Sequence, residues 1–163
     1  MIRILVTLAF ILGVSGPVFA EDVQKLQLSG DITLAQAQKV MAGALEFAKK
    51  QGVPMNIAIV DAGGNLKEFC RMDGAFLGSI DISAKKAKTA RFFNMSTAQL
   101  GAASQPGQEL YGIETTSGGL VIFGGGELLR NKDGVIIGAI GVSGGSVSED
   151  TNVAKAGVEA LNK

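Results

Sequence analysis

Arg71, Lys86 and Lys88 bring cations, and Asp61 and Asp73 carboxylates, into one part of a 163-residue chain that contains no histidine. Guanidinium and ammonium groups pair with the carboxylates of an acidic ligand. Glycines at 125, 138, 141, 144 and 145 remove side-chain bulk, so a partner strand, a second subunit or a flat ligand can approach the backbone closely. A second chemistry uses Asp61 or Asp73 as a base with Lys86 as an electrophilic or Schiff-base group, given burial that shifts their pKa values. Against it, Asp61 opens a glycine turn and Asp73 follows a strand, positions where Asp bonds backbone N–H groups for structural reasons.

The missing histidine excludes Ser-His-Asp and Cys-His nucleophilic machinery and H-E-x-x-H zinc sites. Cys70 is the single cysteine, so no intramolecular disulfide forms, and its neighbours Phe69 and Met72 fit a packed thiol. Basic and acidic residues balance at 15 each without a basic run, which gives no electrostatic footprint for nucleic acid or anionic lipid. The glycine turn at Ser143-Gly144-Gly145-Ser146 lacks the spacing of a dinucleotide loop. Glu149 and Asp150 fall in the first turn of the helix after it, where they complement the dipole and repel phosphate.

The element that must position these groups is Val135 to Val142, a run of small and β-branched residues without charge that reads as a central strand buried on both faces. Thr33-Leu34-Ala35-Gln36 is a capping box, opening a helix from Leu34 to about Lys50 that Gly52 and Pro54 end. Met55 to Asp61 and Leu66 to Met72 form a hairpin across Ala62-Gly63-Gly64-Asn65. Gly78 to about Phe93 is a second helix. Ser96-Thr97-Ala98-Gln99 caps a short third one, and Ser148 to Leu161 is the last. Gly118 to Phe123 and Glu127 to Arg130 read as strands, and Val23 to Leu28 as an edge strand. Consecutive strands with short connections favour an α+β fold with an antiparallel sheet covered by helices.

Residues 1–20 read as a signal peptide: Arg3 supplies charge, Ile4 to Val14 an apolar core too short to span a membrane, and Ala20 a small residue at the cut. The expectation is a soluble, periplasmic or secreted domain over residues 21–163.

Several motifs resemble the GlcG/HbpS family, whose domain also forms the C-terminal part of PduO. They are Ala58-Ile59-Val60-Asp61-Ala62-Gly63-Gly64, Arg71-Met72-Asp73-Gly74-Ala75, Lys86-Ala87-Lys88-Thr89-Ala90, Gly124-Gly125-Gly126 and Gly138-Ala139-Ile140-Gly141-Val142-Ser143-Gly144-Gly145, with Asp150 and Ala156-Gly157. Glu127-Leu128 departs from the family's common G-G-x-P. The resemblance implies a profilin-like α-β-α sandwich with a five-stranded antiparallel sheet, assembled as a homo-oligomer. It also implies haem, or a related tetrapyrrole or corrinoid, as ligand, with links to redox sensing and glycolate utilisation in family members. Arg71, Met72, Asp73, Lys86, Thr89, Gly125 and Gly144 are then the candidate binding residues. Any axial contact comes from Met72, Met95, Tyr111, Cys70 or a hydroxyl such as Thr89, because histidine is absent. An enzyme acting on a small metabolite and an oligomeric scaffold without ligand are the competing readings.

The signal-peptide reading predicts that exported protein begins at Glu21. N-terminal sequencing checks it, and retention of residues 1–20 in a membrane fraction would overturn it.

Overall fold

The computed structural model describes residues 30–163; the expected signal peptide and the edge strand at Val23 to Leu28 lie outside them. Along the chain run α1 (Leu34–Gln51), β1 (Asn56–Asp61), β2 (Leu66–Arg71), α2 (Gly78–Phe93), α3 (Thr97–Ala103), a 3-10 turn at Ile113–Thr115, β3 (Gly126–Arg130), β4 (Ile136–Ser143) and α4 (Val147–Asn162). The strands form an antiparallel sheet in the order β2-β1-β4-β3. β4 is therefore paired along both edges, as its uncharged sequence requires. Alternation sends Ile57, Ile59, Ile140 and Val142 into a core with Val40 and Ala44 of α1 and Val153 of α4. On the other face Ala58, Val60 and Ala139 pack with Ala87 and Ala90 of α2. Two helical layers enclose the sheet.

Three helices start on capping boxes: Thr33 with Gln36, Ser96 with Gln99 and Ser146 with Glu149. The third was not read from the sequence, although Ser146-x-x-Glu149 carries its signal. α2 has no side-chain cap. Its first turn is tightened instead by bonds from the Ser79 N–H to the Phe76 carbonyl, 3.2 Å, and from the Ile80 N–H to the Leu77 carbonyl, 3.1 Å.

The expectation of five strands is corrected to four among the described residues, because Gly118 to Phe123 forms no ladder. Ser117, Gly118 and Gly119 all take positive φ, which breaks an extended run. The segment then crosses helices instead of the sheet. Its Val121 N–H donates to Thr89 Oγ1 at 3.1 Å, and the Gly126 N–H that follows donates to Thr97 Oγ1 at 2.9 Å. Threonine hydroxyls thus take bonds that a strand partner would have taken.

α2 approaches β4 at Gly141, where a methyl would overlap the Ser83 carbonyl oxygen and the Ala87 amide nitrogen. Gly141→Ala is expected to destabilise the fold by about 1–3 kcal/mol. Gly78→Ala, at an open position that begins α2, should leave stability unchanged or slightly raised. Urea midpoints of the two variants check this, and equal midpoints would refute the close approach.

Candidate ligand site

Lys86 leaves the buried face of α2 and is wholly enclosed. Its Nζ donates to the Val142 carbonyl at 2.8 Å and to Asp150 Oδ2 at 2.7 Å, and lies 4.7 Å from the centre of the Phe123 ring. The other Asp150 oxygen accepts the Gly145 N–H at 3.0 Å. Burial pushes the ammonium below the ordinary lysine range, opposed by the hydrogen bond and charge of Asp150. Besides a Schiff-base role, the sequence offered Lys86 as a ligand partner or a solvated helix charge. The structure places it in neither setting, and its donors are taken by this chain.

Two glycines read as ligand-lining serve internal packing, Gly125 against the Lys86 pair and Gly144 against Pro54 and Met55. Gly125 has φ 112°, and a methyl there would press on Lys86 Nζ, the Val142 oxygen and Asp150 Cβ. A methyl on Gly144 would overlap the Pro54 carbonyl oxygen. Thr89 is enclosed as well, its hydroxyl accepting the Val121 N–H. Asp61 Oδ1 accepts the N–H groups of Gly63 and Asn65, both at 2.8 Å, which is turn capping. Lys88 is exposed beside a cleft of about 210 Å³ lined by Val60, Gly64, Asn65, Leu66 and Ala84. A larger groove of about 330 Å³ between α1 and α4 contains none of the candidate residues.

Arg71, Met72 and Asp73 lie together at the end of edge strand β2. Met72 turns its sulfur to the Met55 N–H at 3.3 Å and packs against the α1–α4 core. Asp73 is exposed in the turn that Gly74 completes at φ 82°. Arg71 is exposed and has no hydrogen bond or ion pair among the described residues. Sheet register sets Arg71 opposite Asn56, and Asn56 opposite Ser143, a polar row across β2, β1 and β4. Asn56 is fully enclosed, and its Nδ2 donates to the Phe76 carbonyl at 3.0 Å. Ser143 Oγ donates to Ser79 Oγ at 3.1 Å. The connection into α2, whose Phe76 carbonyl meets this row, exposes Phe76 at 70% and Leu77 at 71%, and the first turn of α2 exposes Ile80 at 38%.

Asn56 links the two features, with Arg71 as its strand neighbour and the Phe76 carbonyl on its amide, so exposed apolar side chains and an unpaired guanidinium occupy one end of the sheet and suit a ligand with a flat apolar body and an acidic arm. Of the candidate residues only Arg71 and Asp73 present polar groups to solvent there. Asn56, Ser79 and Ser143 were missed. Asn56 did carry a signal, as a polar residue leading an otherwise apolar strand, and Ser79, Ser83 and Lys86 recur at helical spacing on α2. Among the described residues no three His, Cys, Asp or Glu side chains gather as metal ligands, and no helix is long and apolar enough to cross a membrane.

Removing one member of the enclosed pair, by Lys86→Met or Asp150→Asn, is expected to cost about 3–5 kcal/mol, and the double variant less than the sum. The unfolded chain holds the Lys86 proton more tightly than the folded chain. Wild type should therefore gain stability relative to Lys86→Met as pH rises toward the ordinary lysine value of 10.5. Denaturant titrations check both, and strictly additive losses would argue against a coupled pair.

Residues 32–159 match the family model described as haem degrading protein HbpS-like. The corrinoid adenosyltransferase PduO of Salmonella typhimurium is 42% identical over 120 residues, which are 73% of this chain and 35% of PduO, so the match spans about a third of that protein. The solved complex of PduOC with heme superposes with a TM-score of 0.77 at 38% identity, covering 81% of this chain and 96% of that one. A double mutant of HbpS from Streptomyces reticuli superposes with a TM-score of 0.75 at 31% identity, covering 90% and 97%. With the family model spanning nearly every described residue and the fold shared throughout, the chain belongs to the HbpS-like family.

Proposed function

We propose that this chain is an exported haem-binding protein that holds its ligand on the surface of Phe76, Leu77 and Ile80, with a carboxylate arm at Arg71. The observation that carries the reading is the pairing of that exposed apolar cluster with a guanidinium that has no partner among the described residues. Haem joins a flat apolar ring to carboxylate arms, and the PduOC structure solved with heme is of the same fold. A corrinoid, whose arms are mostly uncharged amides, leaves Arg71 without a counter-charge and suits the site less well.

The residues present fit the porphyrin edge and its carboxylate, while the chain has no histidine to offer the iron. When bound, haem would supply redox and oxygen chemistry at its iron. The chain's own part is to shelter one face of the ring and to neutralise an arm. Apolar side chains as exposed as Phe76 and Leu77 also suit burial against a second copy, so a homo-oligomer belongs to the same reading. Export is part of the same proposal and is supported by the signal-peptide pattern read in residues 1–20, which would have the site meet ligand outside the cytoplasm.

A haem titration of wild type, Arg71→Ala and the surface control Lys163→Ala tests the proposal. Arg71→Ala should weaken binding roughly tenfold, the loss of one charge-assisted contact, and Lys163→Ala should not. Equal affinity in all three would mean apolar adsorption alone, and no saturable binding by wild type would overturn the haem reading.

A further inference from the structure

Asn56 is a fully buried amide whose two ends are treated differently. Its Nδ2 is held by the Phe76 carbonyl, which fixes the orientation of the group, while its Oδ1 is enclosed and without a hydrogen-bond partner among the described residues. Enclosed acceptors normally find a donor. The adjacent ladder position offers one within reach. The Met72 N–H donates to the Met55 carbonyl at 3.0 Å, so Met55 and Met72 form a hydrogen-bonded pair, and Asn56 and Arg71, next along the strands, form a non-hydrogen-bonded pair. Side chains on one face come closest at such pairs. Both face α2: Asn56 through its bond to Phe76, and Arg71 through its alternation with Phe69, which packs on the α2 side.

We propose that Asn56 is a positioning residue for ligand recognition: its Oδ1 accepts one guanidinium N–H of Arg71 and aims two others, in parallel, at a single carboxylate of the ligand. This rests on the carboxylate-at-Arg71 reading above. A guanidinium has five donors in a rigid fork, so engaging one edge with a fixed acceptor orients the rest. The amide also keeps Arg71 off the exposed ring of Phe76, leaving the apolar surface to the ligand body. The chemical class so selected is a flat apolar molecule with a free carboxylate arm, discriminated from its uncharged ester.

Zinc protoporphyrin IX and its dimethyl ester are the probes, titrated by fluorescence against wild type, Asn56→Ser and Asn56→Leu. Wild type should prefer the diacid by roughly tenfold, the size of a charge-assisted contact. Both variants should lose most of that preference, and the diacid-to-ester ratio is the readout because loss of the Nδ2 bond to the Phe76 carbonyl lowers affinity for both probes alike. A purely structural role for Asn56 would weaken both probes together and leave the ratio intact, which overturns the proposal. The carboxamide NMR signal of Asn56 in wild type supplies a test that needs no variant: it should move on adding the diacid and hold still with the ester. A signal indifferent to the diacid refutes the inference even if both variants fail to fold. Wild type that binds both probes equally would instead refute the Arg71 reading, so the two failures are distinguishable.

Discussion

An ammonium sealed from water is the constraint that the rest of this fold must satisfy. Lys86 has three N–H directions and finds a carbonyl, a carboxylate and an aromatic face for them, supplied by β4, α4 and the loop before β3. Desolvating two charges costs energy that their attraction only partly returns, so the pair does not stand as a large source of stability. It works as a registration device. Any shift of α2 along β4, or of α4 against the sheet, leaves a buried charge unpaired. The glycine pattern follows from the same requirement, since Gly125 and Gly141 clear the space through which Lys86 and the helix backbone pass.

The consequence for function is a division of labour along α2. Its middle is committed inward through Ser83, Lys86 and Thr89, all buried. Its start is committed outward, with Phe76 and Leu77 in solvent above the Arg71–Asn56–Ser143 row. A ligand on that surface meets an Arg71 and an Asn56 placed by sheet register, while Phe76 and Leu77 come from the connection into α2 that the Asn56 bond to the Phe76 carbonyl ties down. Among the described residues β2, which carries Arg71, is paired along one edge only.

Much of the fold was legible because it is written locally. Two capping boxes, the hairpin glycines and the uncharged β4 run each declare their structure within a few residues, and α1, β1, β2 and β4 appear within a residue or two of where they were expected. Gly118 to Phe123 was misread because its apolar content resembles a strand. Its fate is decided by Thr89 and Thr97, about 30 positions away in the chain, which no local pattern records. The same limit applies to the site. Lys86 resembles its neighbours Lys85 and Lys88 in type, and only tertiary placement separates a sealed cation from a half-buried one and an exposed one. Arg71 was found because it needs only to be outside. Asn56 went unnoticed because its role depends on two strand neighbours and one carbonyl from the helix above.

α2 stands apart from the other three α-helices in lacking a local cap. Where Thr33, Ser96 and Ser146 each hold a first turn closed with their own side chains, the first turn of α2 is held by two short-range backbone bonds and by what lies beneath it. Opening that turn requires breaking those bonds and the Asn56–Phe76 and Ser143–Ser79 contacts, without loss of a capping side chain or an ion pair, so amide protons there should exchange with solvent well before those of the Lys86 segment. The surface that carries Phe76 and Leu77 is thus also the most easily loosened end of the helix, and whatever covers it contributes by quieting local unfolding as well as by direct contact.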